Sequence, residues 1–218
     1  MRPVTELLPL LALRVSAGPL ELRGVSDQDL PALCELASRG IHPEDEMPFS
    51  VPWSIGPPQE IAARVAAYHW RCRGSWSPEH WSLQLGVWHE GVLVGCQGMQ
   101  SADYLITRTA ESGSWLGQSY QGRGIGTAMR QIICAFAFDH LDAVEVTSAA
   151  LRYNRASQTV STKIGYRENG EQRMRLGDDP VVELRYRLRP EDFVRYEHPL
   201  VIEGLEPLRR SIGLNRPG

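Results

Sequence analysis

Two hydrophobic periods alternate along the chain and predict where strands and helices lie. Residues 20–25 alternate apolar and polar positions, which predicts a half-buried strand. Ser26 and the acidic residues after it predict the start of a helix. A serine caps the first turn, and acidic side chains interact favourably with the positive end of the helix dipole. Apolar residues then recur at helical spacing up to residue 37, and residues 60–73 show the same spacing. The first third of the chain is therefore predicted as one strand followed by two helices.

The segment between these two helices, residues 41–58, carries five prolines. Proline interrupts helices, so a loop is predicted here. The loop also holds large apolar side chains, which suit either packing over the core or the wall of a pocket. These side chains are Met47, Phe49 and Trp53.

The rest of the chain is predicted as further strands and helices. A period of two around a short turn predicts a hairpin over residues 81–96, and a third strand is expected within residues 105–117. The remaining predicted elements are, in chain order, a helix from Gly122, a strand at 143–148, a helix at 155–164, a hairpin within 170–188, and tail helices at 191–196 and 206–212. This order predicts an α/β (α+β) fold in which one mixed sheet has helices packed on its faces.

Both ends of the chain extend beyond this pattern. The leucine-rich start weakly imitates a signal peptide, but Glu6, Pro9 and Arg14 crowd and interrupt its short apolar core, so we interpret it as an extension of a cytoplasmic protein. The predicted division is an extension at 1–17, a domain at 18–189 and a tail at 190–218. Because the tail is too apolar to be left in water, we expect it to pack on the domain or on a partner subunit of a homodimer or larger homo-oligomer.

Composition narrows the function. With 42% hydrophobic and 22% charged residues, the chain has the composition of a globular protein. Its net charge of −3 gives no global field that would attract nucleic acid or an anionic membrane, and no apolar run is long enough to span a bilayer. The four cysteines have no metal-ligand spacing, so we expect buried reduced thiols and no metal site.

One segment indicates chemistry. A strand ending near Gly117 feeds a glycine-rich turn that opens a helix, an arrangement whose free backbone amides and helix dipole bind phosphate. The segment contains no lysine, which excludes a P-loop, and the third glycine of a dinucleotide fingerprint is replaced by Thr127 or Met129. The remaining pattern is Gln-x-x-Gly-x-Gly at Gln121, Gly124 and Gly126.

This pattern resembles the coenzyme A pyrophosphate loop of the GNAT N-acyltransferase superfamily. A second patch, from Asn154 to Ser157 and on to Lys163-Ile164-Gly165-Tyr166, resembles the N-x-x-S and K-x-G-[FY] helix of the ribosomal-protein N-terminal acetyltransferase branch. The order of predicted elements agrees with the family over residues 19–188. Residues 47–53 and 114–126 are similar to an actinobacterial subgroup, and the whole chain is similar to mycobacterial succinyl-CoA transferases.

The resemblance implies a GNAT fold, whose central sheet is mixed, mostly antiparallel and splayed where acyl-CoA binds, with helices on both faces. Main-chain groups at the end of one strand would bind the pantetheine arm, and the glycine loop would bind the pyrophosphate. The residues implied in binding acyl-CoA are Trp115, Leu116, Gly117, Gln121, Gly122, Arg123, Gly124, Ile125, Gly126, Thr127, Asn154 and Ser157.

Acyl transfer to an amine also needs a base, because a primary amine is mostly protonated at neutral pH. The resemblance points to Glu111 as this base, acting through water, and to Ser157 as the proton donor to the leaving thiolate, with Tyr153 as its rival. Other roles stay open: Glu111 pairing with Arg108, Asn154 capping a helix, and Ser157 bonding to its own backbone.

The leading hypothesis is an enzyme that moves an acyl group from acetyl-CoA or succinyl-CoA to the amine of a small molecule or protein by direct attack. A non-catalytic acyl-CoA sensor and a scaffold that binds no CoA are the alternatives. A succinyl carboxylate would require a nearby cation, and the sequence leaves Arg39, His42, Arg64 and Arg108 as candidates.

Overall fold

The backbone forms one sheet, seen in a computed structural model that describes residues 3–43 and 46–215. The strands are β1 (Arg14–Ala17), β2 (Leu20–Gly24), β3 (His80–His89), β4 (Val92–Ala102), β5 (Thr109–Leu116), β6 (Glu145–Leu151), β7 (Arg167–Leu176), β8 (Asp179–Leu188) and β9 (Val201–Glu203). Their order across the sheet is β7-β8-β6-β5-β4-β3-β2-β1-β9. Among the described strands only β5 and β6 pair in parallel, so the predicted mixed, mostly antiparallel sheet is confirmed.

The helices cover both faces of this sheet. They are α1 (Val4–Leu7), α2 (Leu30–Ser38), α3 (Pro58–Gly74), α4 (Tyr104–Thr107), α5 (Ile125–His140), α6 (Arg155–Ile164) and α7 (Leu205–Ser211). α2 begins at Leu30, four residues after the start predicted at Ser26. In the turn before it, Ser26 Oγ accepts from the Asp29 amide (3.2 Å) and the Asp29 carboxylate accepts from the Ser26 amide (3.2 Å).

Two apolar layers lie on opposite sides of the sheet. The larger layer packs α5 against the sheet and contains fully buried Leu22, Leu83 and Phe136; we call this side the α5 face. The smaller layer packs α2 and α3 against the sheet around Leu33 and Val65; we call this side the α2–α3 face. Each such large side chain stabilises the fold by roughly 1.5–3 kcal/mol through removal of apolar surface from water.

The sheet continues past both predicted domain boundaries. At the N-terminal end, β1 pairs with β2, and Leu10, Leu13 and Val15 are buried. At the other end, β9 pairs with β1, and α7 follows it. The residues predicted as an extension and a tail therefore share a sheet with the predicted domain, although residues 1–2 and 216–218 lie outside the described part.

The tail differs from the sequence prediction in one element. The predicted helix at 191–196 is wrong, because only a 3-10 turn forms at Pro190–Asp192. The residues after it run extended: Phe193 and Tyr196 pack against the larger apolar layer, and the Val194 amide donates to the Ile164 carbonyl (2.9 Å). The second predicted tail helix is confirmed as α7.

The cysteines and the hydropathy of the helices bear on two expectations based on composition. All four cysteines are buried and form no disulfide, as predicted. None of the helices in the described ranges is both long enough and apolar enough to cross a membrane.

Candidate active site

β5 and β6 diverge and leave a V-shaped opening in the sheet. Their parallel pairing covers only three residue pairs and ends at Glu111 and Thr147. Beyond this vertex β5 stays paired with β4 as far as Leu116, and β6 stays paired with β8 as far as Leu151. The backbone edges inside the V therefore lack a strand partner, and an extended ligand can bind there as an added strand does.

Strand alternation decides which backbone groups face the V. The Trp115 carbonyl lies against Gly95, because a Cβ built on that glycine would be 2.3 Å from it, so the Trp115 main chain is directed at β4. Its neighbours Ser114 and Leu116 are then directed into the V. The Gly117 amide donates to the Val94 carbonyl (2.9 Å) and is already occupied. Of the three residues predicted to bind pantetheine through their main chains, Leu116 therefore has its amide facing the opening.

A loop with unused amides lies at the mouth of the V. Gly122 and Gly124 adopt φ values of +72° and +83°, a region that favours glycine. Between β5 and α5, no amide of residues 122–126 donates a hydrogen bond to any described residue. Consecutive free amides at the N-terminus of a 16-residue helix form an anion-binding site. The next amide, that of Thr127, donates to the Gly124 carbonyl (3.1 Å), which leaves only the Thr127 side chain available.

Of two polar side chains in this loop, one anchors the loop and the other is exposed. Gln121 Nε2 donates to the carbonyls of Leu116 (3.0 Å) and Ile41 (2.7 Å), so this side chain fastens the loop to the end of β5. Arg123 is exposed, with its guanidinium carbon 6.0 Å from the Tyr120 ring centre, and is placed to contact a bound anion.

The start of α6 lies across the V from this loop. Asn154 Oδ1 accepts from the Ser157 amide (3.0 Å), which confirms its capping role, while Nδ2 donates to the Pro48 carbonyl (3.0 Å). The Tyr153 hydroxyl donates to the Met47 carbonyl (2.9 Å), and partial burial raises its pKa. The Ser157 hydroxyl is half-buried and bonds to no described residue, so its predicted bond to its own backbone does not form.

Glu111 is on the opposite face from the glycine loop. Ala110 belongs to the larger apolar layer, so alternation directs the Glu111 side chain to the α2–α3 face. Its carboxylate is 39% exposed and lies 3.9 Å from the Arg185 guanidinium. The predicted pairing with Arg108 is not formed; that guanidinium lies 5.8 Å from the Tyr104 ring centre. The V thus joins an anion site on one face to a carboxylate on the other.

Aromatic side chains border the V on the α2–α3 face. The rings of Phe49 and Trp53 are 5.1 Å apart, and Trp53 lies 5.8 Å from Trp115. Met47, Phe49 and Trp53 are all half-buried, which fits the wall of an open cleft better than a sealed core. Residues 44–45 of this loop lie outside the described ranges.

A buried polar group at the V was missed by the sequence analysis. Arg130, on α5, donates to Ser148 of β6 and to Ser114 of β5, both at 3.0 Å. The available signal was a charged residue among the apolar residues 128–137 of a helix. By contrast, three of the four cations considered earlier for an acyl carboxylate are engaged elsewhere: Arg39 with Glu35, Arg64 with Glu60, and His42 with Ser54. The fourth, Arg108, lies beside the Tyr104 ring, and its buried Nη1 has no acceptor among the described residues.

No group of three or more His, Cys, Asp and Glu residues in the described ranges could hold a metal ion.

Comparisons with known proteins agree with this geometry. The profile of the acetyltransferase (GNAT) domain family matches residues 19–167. YdaF of Bacillus subtilis, named as a ribosomal N-acetyltransferase, is 31% identical over 91 residues; these cover 42% of this chain and 49% of YdaF, so the match spans about half of that relative.

Solved structures share the fold at low sequence identity. RimJ of Mycobacterium smegmatis, in complex with a CoA disulfide, has a TM-score of 0.67 at 17% identity, with 93% of this chain and 95% of that chain covered. RimL, a ribosomal L7/L12 acetyltransferase in complex with coenzyme A, has a TM-score of 0.64 at 19% identity, with 78% and 94% covered. From the family profile and the splayed sheet together, we conclude that this chain belongs to the acetyltransferase (GNAT) domain family.

Proposed function

We propose that this protein transfers an acyl group from acyl-CoA to a primary amine. The observation that carries the proposal is the row of unused amides at residues 122–126, placed at the mouth of the V in the sheet. The amides suit a pyrophosphate, and the V suits the extended pantetheine arm that follows it. A net negative chain can hold this polyanion because the site works through aligned backbone groups.

Acyl-CoA is bound in two parts. The amides of Gly122 to Gly126 hold the pyrophosphate, with Arg123 and the Thr127 hydroxyl beside them, while Gln121 keeps the loop in place. Inside the V, the Ser114 and Leu116 backbone groups pair with the amides of the pantetheine arm. Asn154 retains one free N–H on its side-chain nitrogen, which is available to the arm from the α6 side.

The reaction proceeds by direct attack. Glu111 takes a proton from the amine through water, and the amine nitrogen then forms a bond to the thioester carbon. A main-chain amide of β5 that faces the V, on the strand that ends near Leu116, stabilises the negative oxygen of the tetrahedral intermediate. As the carbon–sulfur bond breaks, the thiolate is protonated by Ser157 or by its rival Tyr153. Burial raises the pKa of Cys96 to about 12 and of Cys134 to about 11, so neither thiol is an effective nucleophile.

Similarity to other proteins narrows the choice of acceptor and donor substrates. Relatives named as ribosomal acetyltransferases support the amine of a protein as acceptor. The wider resemblance described above supports succinyl-CoA as the preferred donor, with acetyl-CoA as the other. A cytoplasmic location and a homodimer or larger homo-oligomer are part of the proposal.

The test is release of free CoA thiol from acetyl-CoA and succinyl-CoA over a panel of peptide and small-molecule amines. We expect turnover by the wild-type protein, and a loss of kcat of about 100-fold or more in Glu111→Gln with unchanged CoA binding. Glu171→Gln is the matched control, because Glu171 is also an arginine-paired carboxylate, on β7 and away from the V. Tight binding without turnover of any amine would favour the sensor, and no thermal stabilisation by CoA would favour the scaffold.

A further inference from the structure

Arg130 carries a buried positive charge that no described carboxylate neutralises. The residue is 4% exposed, and of the arginines and lysines in the described ranges it alone is buried. Its two hydrogen bonds go to the neutral hydroxyls of Ser148 and Ser114. Its Nε is buried and has no acceptor among the described residues. The guanidinium therefore holds an unused donor and an uncompensated charge.

Two other deeply placed arginines in this chain are each compensated by a carboxylate. Arg73, with 13% of its side chain exposed, forms an ion pair with Asp27, and Arg209, with 17% exposed, pairs with Asp142 (2.9 Å). Because arginine stays protonated in proteins, burying it without a counter-ion is strongly unfavourable. An anion that arrives with a ligand would remove that cost.

The position of Arg130 limits which anion this is. Ser148 follows the vertex residue Thr147 directly, and Ser114 lies three residues past the vertex residue Glu111. The guanidinium thus spans the V on the α5 face just above its vertex. CoA phosphates belong to the amides of residues 122–126 at the mouth of the V, two or more strand residues, or ~7 Å, further out. The vertex is where the acyl group must lie for an amine near Glu111 to attack it from the other face.

We propose that Arg130 binds the free carboxylate of a dicarboxylic acyl-CoA donor and thereby selects it, an inference that rests on the proposed function. The carboxylate accepts from Nε and one Nη of the guanidinium, which is the paired geometry arginine offers to carboxylates. Without a donor, the same guanidinium bridges Ser114 and Ser148 across the V. A four-carbon chain such as succinyl places its carboxylate three carbons from the thioester carbon.

The test compares succinyl-CoA with butyryl-CoA, a thioester of equal carbon length without the carboxylate. Their dissociation constants are measured by calorimetry without an amine. We expect wild-type protein to bind succinyl-CoA at least tenfold more tightly, Arg130→Gln to bind both equally with its butyryl-CoA affinity retained, and Arg130→Lys to keep part of the preference. Arg209→Gln is the control for removing a deep arginine, and it should keep the wild-type ratio.

Several outcomes would overturn the assignment. Equal binding of both thioesters by wild-type protein does so without any variant, which keeps the test decisive if Arg130→Gln fails to fold. Equal weakening of both thioesters in Arg130→Gln would show that the arginine only bridges the strands. Failure of the proposed function can be distinguished from failure of the Arg130 assignment, because wild-type protein would then bind neither thioester nor free CoA.

Discussion

The glycine loop at residues 117–126 and the aromatic segment at residues 46–57 border the same opening from opposite faces, yet they are built differently. The loop presents backbone amides fixed by two left-handed glycines and by one glutamine anchor. The segment presents side chains, and besides contacts from the nearby His42 and Arg64 it is fastened by Tyr153 and Asn154, more than a hundred positions along the chain. The conformation of the loop follows mainly from local sequence, whereas part of the anchoring of the segment forms only once the fold has formed.

This difference suits the two substrates of the proposed reaction. In that proposal the backbone of the loop binds a group common to every acyl-CoA, so the loop tolerates changes of side chain better than changes of conformation. A wall of side chains such as Phe49, Trp53 and Trp115 can change with the acceptor without disturbing the fold. We therefore expect substitutions in the loop to affect all donors alike and substitutions in the aromatic segment to affect only the acceptor.

The largest expected effect comes from Gly124→Asp, which brings a negative charge to the proposed pyrophosphate site. Binding of CoA should weaken about 100-fold, or ~2.7 kcal/mol, as measured by calorimetry. Gly170→Asp is the matched control, since Gly170 also has positive φ (+97°) and open space around it, but lies on β7. Equal weakening by both variants would contradict the assignment of the loop.

A second expected effect is a loss of folding stability at low pH that originates on the α2–α3 face. Burial, and secondarily the nearby Arg73 charge, lower the pKa of His69 on α3 from 6.5 to about 4. The unfolded chain therefore binds more protons between these values, so stability is complete above pH 6.5 and falls as pH drops towards 4. The total loss is ~3 kcal/mol by linkage.

Urea unfolding at pH 7 and pH 5 tests this expectation. His69→Gln should reduce the pH dependence, whereas a variant of an exposed histidine, His80→Gln, should keep it. An unchanged slope in His69→Gln would mean that the acid sensitivity has another source.

The smallest expected effect comes from Tyr153→Phe, which removes the hydrogen bond to the Met47 carbonyl. If the hydroxyl only fastens the aromatic segment, KM for the amine should rise a few-fold, about 1 kcal/mol, with kcat and CoA affinity unchanged. A large fall in kcat at constant KM would instead identify Tyr153 as the proton donor to the thiolate. Steady-state kinetics with the amine varied distinguishes the two.

Elements governed by local chemistry could be predicted from the sequence. The Ser26 turn, the Asn154 cap, the strand-to-helix turn and the α5 and α6 helices follow from residues within a few positions of one another. β1 and β9 were not predicted, because strands of four and three residues show little periodicity and depend on pairing with distant partners. The packing of the aromatic segment and the proximity of Arg185 to Glu111 likewise depend on tertiary structure.

The predicted tail helix at 191–196 shows how tertiary contacts override local preference. Phe193 and Tyr196 bury more surface by lying extended across the larger apolar layer than one exposed helical turn could bury. For Arg130, the position in an apolar helical face was visible in the sequence. The contacts of its guanidinium with the two strands of the V depend on the tertiary structure and could not be predicted.

The pairing of β1 with β9 also orders events during synthesis. β1 leaves the ribosome long before β9, the strand that covers its outer edge. Until Val201–Glu203 emerge, β1 offers unpaired backbone groups to any other nascent chain, which is a route to misassembly. The glycine loop is therefore translated before this edge of the sheet is covered, and pairing with β9 protects β1 from such misassembly.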